Sequence, residues 1–190
     1  MTRLEAALLD VVGFLDERRI PYMVIGGFAN LHWGVERFTR DLDLTIETAD
    51  DALEGLLGQL ASRYTLSDPD PIAFVRRNHL IRLETQTGVP VDLILAALPY
   101  EIGAIRRAVA VEVTGREVRL CSPEDLIIHK LASERPQDAL DVEGLVLRQA
   151  ARLDRQYLAA RIRELAQGLE RPGLVGSFEA LLKKADALPG

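Results

Sequence analysis

Asp41 and Asp43 stand one residue apart in Arg40-Asp41-Leu42-Asp43-Leu44-Thr45-Ile46, and a third acid, Asp92, sits in the apolar run Val91-Asp92-Leu93-Ile94-Leu95. Side chains alternate along a strand, so Asp41, Asp43 and Thr45 are expected on one face, with Leu42, Leu44 and Ile46 turned to the core. Two carboxylates this close repel each other in a partly dry site, and one takes up a proton unless a cation compensates them. A divalent metal is the natural compensator. Hard oxygen ligands favour Mg2+ or Mn2+, and magnesium commonly combines a carboxylate or two with substrate phosphates. Asp92 among apolar neighbours is costly without a partner, which makes it the candidate third metal carboxylate; the plainer alternative is an acid on the solvated face of an edge strand.

Gly26 and Gly27 follow the short apolar run Met23-Val24-Ile25. Lacking side chains, they let backbone N–H groups approach an anion closely at the start of a following helix. One element is thus expected to cradle phosphate and the other to hold the metal that bridges to it. Arg37 and Arg40 flank the loop into the acid strand, and arginine forks suit phosphate oxygens; the alternative is a surface arginine balancing Glu36 or Asp41.

The elements that must position these residues are legible in the apolar spacing. Leu4, Leu8, Val11, Val12 and Leu15 predict a helix over 4–19, with Thr2 and Glu5 as its capping box. Pro21 marks the change to a strand over 22–25, Phe28 to Trp33 makes a short helix ended by Gly34, and the acid strand covers 41–47. Asp50 or Asp51 is expected to open a helix over 52–63, followed by a loop and a short strand at 72–75. Runs 79–85 and 89–95 pair as a hairpin near Gly88, and 108–113 with 118–121 pair around Thr114-Gly115. Ser122-Pro123-Glu124-Asp125 is a helix start: a serine cap, proline at the first helical position and acids in the first turn. From there the reading is all helix, over 123–133, 138–151, 154–167 and 178–187. The division between a mixed half, 1–121, and a helical half, 122–190, falls at Ser122.

Gly26-Gly27 followed by Thr39-Arg40-Asp41-Leu42-Asp43-Leu44 resembles the signature of the DNA polymerase beta-type nucleotidyltransferase superfamily. Within it, the chain is similar to the AbiEii-type toxin-related proteins of bacteria. The pattern there is often Gly-Ser; Gly-Gly here leaves backbone donors to serve the phosphates. Pro123-Glu124-Asp125-Leu126, Lys130-Leu131, Arg135 and Asp138-Ala139-Leu140-Asp141 extend the resemblance. It implies a third acid at Asp92, Lys130 directed to the nucleotide phosphates, and Asp138 and Asp141 near the site as accessory residues. Read without it, Lys130 is a solvated lysine paired with an acid such as Glu134, and Asp138 a helix cap. The fold implied is α+β: a nucleotidyltransferase-like mixed β-sheet flanked by helices, then a C-terminal helical bundle.

Composition bounds the rest. The chain has 190 residues, a net charge of −6 and 48% hydrophobic residues, which suits a soluble domain with a sizeable core. No apolar run reaches the roughly 18 residues that span a bilayer, and the start has no signal-peptide layout, so a cytoplasmic location is expected. Cys121, the single cysteine, excludes an internal disulfide and a multi-cysteine zinc site. The negative charge opposes non-specific duplex binding.

The function expected is metal-dependent transfer of a nucleoside monophosphate from an NTP to an acceptor hydroxyl, with release of pyrophosphate. Acceptors left open are an RNA end (tRNA in particular), a protein side chain, or a small molecule such as an aminoglycoside. The resemblance adds a toxin–antitoxin role with an antitoxin as protein partner. The alternative is a non-catalytic NTP-binding or regulatory module acting through a partner.

Overall fold

The acid strand lies near the middle of a seven-stranded mixed sheet of order β3-β4-β5-β2-β1-β7-β6. This computed structural model describes residues 1–187. The strands are β1 (Tyr22–Ile25), β2 (Leu42–Ile46), β3 (Thr65–Leu66), β4 (Leu80–Glu84), β5 (Pro90–Leu95), β6 (Val109–Val113) and β7 (Arg116–Leu120). The helices are α1 (Arg3–Glu17), α2 (Gly26–Trp33), α3 (Leu53–Ala61), α4 (Pro71–Asn78), α5 (Pro99–Arg107), α6 (Pro123–Ala132), α7 (Pro136–Gln149), α8 (Arg155–Gly168) and α9 (Gly173–Asp186). The fold is thus the expected α+β arrangement of a mixed sheet flanked by helices.

Two compact units emerge. The first comprises 1–28 and 38–121, and the second 29–37 and 122–190.

In the first unit, β2 runs antiparallel to β1 and parallel to β5, while β4 and β5 form the hairpin read around Gly88. Leu42, Leu44 and Ile46 on β2 and Val91 and Leu93 on β5 are all completely buried. Burial of each such side chain contributes roughly 1.5–3 kcal/mol, and a slip of one residue would turn all of them to the other face. Register is therefore strongly specified at the strands that carry the acids. Helix α1 begins at the expected capping box: Glu5 N donates to Thr2 Oγ1 at 3.1 Å, and Thr2 N donates to Glu5 Oε2 at 2.6 Å.

Several elements differ from the sequence reading, which had no expectation for β3 and began the last helix at 178 rather than at Gly173. The run Ile72–Val75, expected as a strand, lies inside helix α4. Asp70 caps that helix by accepting from Ala73 N at 3.1 Å, and Pro71 takes the first helical position. Such end signals outweigh the β propensity of four apolar residues. Helix α5 had no sequence expectation; Glu101 accepts from Ala97 N at 2.8 Å and Leu98 N at 2.9 Å, fixing its start. The two first-turn acids at 50 and 51 open a 3-10 turn ahead of α3, with no side-chain cap bond.

In the second unit, α6 packs on α7 and α8, and α9 packs on both α7 and α8. Ser122 caps α6, accepting from Asp125 N at 3.0 Å. Segment 29–37 belongs here because its polar groups find partners here. Gln149 Nε2 donates to Trp33 O at 2.7 Å, Asn30 Nδ2 donates to Val35 O at 3.0 Å, and Arg37 engages Asp141. No described helix is long and apolar enough to cross a membrane.

Candidate active site

Pairing of β2 with β5 sets Asp43 directly beside Asp92, with Leu42 beside Val91 and Leu44 beside Leu93. Both acids are partly covered, while Asp41, one residue ahead of β2, is exposed and its Oδ1 accepts from Thr39 Oγ1 at 3.0 Å. Burial pushes the Asp92 carboxyl above its ordinary range; Arg82 acts against this and Asp41 adds to it. Arg82 is the β4 residue facing Asp92 in the hairpin, with Nε 3.9 Å from Asp92 Oδ1. That pair is half exposed and contributes little to stability.

The glycines are explained by what lies against them. Gly26 opens α2 with a φ of +63°, and a Cβ placed on it would stand 2.0 Å from Asp43 Oδ2. A Cβ on Gly27 would stand 2.3 Å from Thr39 Oγ1. The absent side chains therefore admit Asp43 and Thr39 to the start of α2, where the helix dipole favours negative charge.

Three aspartate carboxylates are hard oxygen donors of the type magnesium and manganese take. The cost of charging Asp92, set first by burial and increased by Asp41, is the kind that a cation relieves. Among the described residues, no three His, Cys, Asp or Glu side chains are drawn close enough to hold an ion. The fit to a metal therefore rests on charge and donor chemistry rather than on a preformed cage.

Within the second unit, Lys130, Asp138 and Asp141 form a cluster. Lys130 was expected at phosphates; its Nζ instead lies 3.0 Å from Asp138 Oδ1 and 2.6 Å from Asp141 Oδ2. All three side chains are about 95% buried. Arg37 offers its guanidinium fork to Asp141, with Nε at 2.9 Å from Oδ1 and Nη2 at 2.9 Å from Oδ2. Arg135 Nε donates to Asp138 Oδ2 at 2.7 Å, and Gln137 Nε2 to Asp141 Oδ1 at 3.1 Å. Burial pushes both acids up, but the hydrogen bonds outweigh it: Ser133, Lys130 and Arg135 hold Asp138 below the ordinary range, and Arg37, Lys130 and Gln137 do so for Asp141. Asp138 is not the cap of α7; Arg135 occupies that position. Buried carboxylates outcompete both solvent and the nearer Glu134 for Lys130, because an unpaired buried acid is far costlier than an exposed one.

Arg40 stays on the first unit, its guanidinium 5.1 Å from the centre of the Phe38 ring. Thr39 and Arg82 had no role in the acid site when read from sequence. Arg82 could have been found by counting back from Gly88, since a hairpin pairs residues symmetrically about its turn.

A family of nucleotidyltransferases of unknown function (DUF6036) matches residues 3–170. The chain belongs to that family. This nucleotidyltransferase has the fold of solved relatives, including an antigenic nucleotidyltransferase-like protein from Paracoccidioides brasiliensis. The two share 19% identity over 95% of this chain and 92% of the other, with a TM-score of 0.57. The lincosamide antibiotic adenylyltransferase LnuA, solved with lincomycin bound, is 15% identical over 76% of this chain and 96% of the other, with a TM-score of 0.52. No functionally curated protein matches the nucleotidyltransferase.

Proposed function

We propose that this nucleotidyltransferase moves a nucleoside monophosphate from an NTP to an acceptor hydroxyl. The acceptor oxygen forms a bond to the α-phosphorus as the bond to the pyrophosphate oxygen breaks, and the acceptor's proton leaves to a base. The adjacency of Asp43 and Asp92 on parallel strands, with Asp41 raising the charge cost at Asp92, carries this reading. Asp41, Asp43 and Asp92 would hold Mg2+ or Mn2+, which supplies Lewis-acid polarisation of phosphate and activation of the attacking hydroxyl. Asp92, whose carboxyl burial makes more basic, is suited to receive the proton. Gly26 and Gly27 keep the start of α2 free of side chains so that its N–H groups serve the phosphates. Arg40 lies one residue from Asp41 and is suited to pair with phosphate oxygens. The Lys130 cluster is a brace: it holds Arg37, and with it the end of segment 29–37.

Incubation with labelled NTPs, magnesium and total RNA tests the reading. Label should appear on an acceptor and vanish with Asp43→Ala. The second reading is an NTP-binding or regulatory module without transfer. Magnesium-NTP binding with no label on any acceptor would establish that second reading. Use of an NTP substrate supports a cytoplasmic location. The AbiEii-like Asp138-x-x-Asp141 run supports a toxin role with an antitoxin partner; growth arrest on expression, relieved by Asp43→Ala, is the corresponding test.

A further inference from the structure

A cavity of about 580 Å3 adjoins the acid strand, walled by the start of α1 (Thr2, Arg3, Leu4), the 38–40 segment and the β4–β5 turn (Gly88, Val89, Pro90). It shares Thr39 with the acid site, where that hydroxyl bonds Asp41, and Pro90 lies two residues before Asp92. Among the described residues, its wall carries two arginines and no carboxylate, in a chain whose net charge is −6. Phe38 is 76% exposed, an unusual position for a phenylalanine, and the Arg40 guanidinium lies 5.1 Å from its ring centre. Arg3 Nη2 reaches Gly88 O at 3.5 Å, holding the second guanidinium at the rim.

We propose that this cavity seats the acceptor, and that the acceptor is the 3′ end of a single-stranded nucleic acid. The inference rests on the transferase reading and names the substrate class of that same site. An exposed aromatic ring beside arginine is a stacking platform for an unpaired base, because every base has a π face. The guanidiniums at Arg3 and Arg40 meet the flanking phosphates. A duplex hides its base faces and has no use for Phe38. A polycationic acceptor such as an aminoglycoside would meet the two arginines of the cavity wall before it reached the acids. The terminal hydroxyl of a strand stacked on Phe38 is delivered towards Asp41 through the shared Thr39 wall.

Fluorescence anisotropy with a labelled 12-nucleotide strand, as RNA and as DNA, tests this in EDTA without NTP, so that no chemistry is needed. Binding by at least one of the two strands is expected. Phe38→Ala should weaken it about tenfold. Arg3→Gln/Arg40→Gln should reduce the slope of log affinity against log salt by about 1.4, the value for two phosphate contacts on a single strand. The side chains are at the surface, so unchanged melting curves verify that both variants fold. Binding of neither strand, wild-type affinity and salt slope in the variants, or equal affinity for the duplex overturns the proposal. Failure here leaves labelled transfer to some other acceptor intact, whereas strand binding with no transfer from any NTP sinks the transferase reading and with it the acceptor role of the cavity.

Discussion

Gly26 and Asp43 are in such close approach that a single added methyl group on the glycine would stand 2.0 Å from the Asp43 carboxylate. Gly26 also holds a φ of +63°, a region L side chains rarely adopt. Gly26→Ala should therefore displace Asp43 and lower the transfer rate by about 100-fold, the scale of a 1 Å misplacement at a reacting centre. Gly115→Ala is the matched control: its φ is +80°, but nothing lies within 4 Å of the added group. That variant should lose about 1–2 kcal/mol in backbone strain and keep its transfer rate. Steady-state rates and thermal melts of the two variants decide the matter.

Asp43→Asn preserves the shape of the side chain and removes its charge. Transfer should fall at least 100-fold, while the melting temperature stays near that of the wild type. Chelation with EDTA should abolish transfer, and Mg2+ or Mn2+ should restore it to the wild type but not to the variant. Transfer that continues undiminished in EDTA would contradict the metal assignment.

Lys130 is enclosed by Asp138 and Asp141 at 3.0 and 2.6 Å. Lys130→Met should destabilise the protein by about 3–5 kcal/mol, because it leaves buried carboxylates without their cation. Lys130→Met/Asp141→Asn should recover part of that loss by removing one of the stranded charges. Urea unfolding of both variants checks the order. A solvated lysine would show almost no loss.

Acid should act on the same cluster. Asp138 and Asp141 titrate below the ordinary 3.8 in the folded chain, where burial raises them but their hydrogen bonds lower them more. A carboxylate with a depressed folded-state value adds stability that is complete above its unfolded value and lost as pH falls through the folded one. The advantage of wild type over Asp141→Asn in urea midpoint should thus be constant above about pH 5 and shrink as pH falls below 3.8. An advantage independent of pH down to 2 would show that Asp141 gains nothing from its charge.

Leu42, Leu44 and Ile46 alternate with Asp43 and Thr45 along β2 as the spacing of apolar residues requires, and the hairpins at Gly88 and Gly115 follow their turn residues. The cap at Ser122 was readable for the same reason: a serine, a proline and two acids act within one turn of chain. Residues 72–75 resemble a strand because four apolar residues have no period of their own, and the Asp70 bond that decides for helix α4 lies just ahead of them.

The amino-acid sequence by itself determined the mixed sheet and the helical second half, because periodicity, caps and turns act over a few neighbouring positions. Only the tertiary structure decided that Asp92 would lie beside Asp43 rather than at an edge. It also decided that Lys130 and Arg37 would face Asp141, and that segment 29–37 would leave the sheet for the helices. These choices join residues as many as 116 positions apart, and they turn on which buried charge finds which partner. That competition is settled by desolvation in the assembled core, for which no local spacing rule exists.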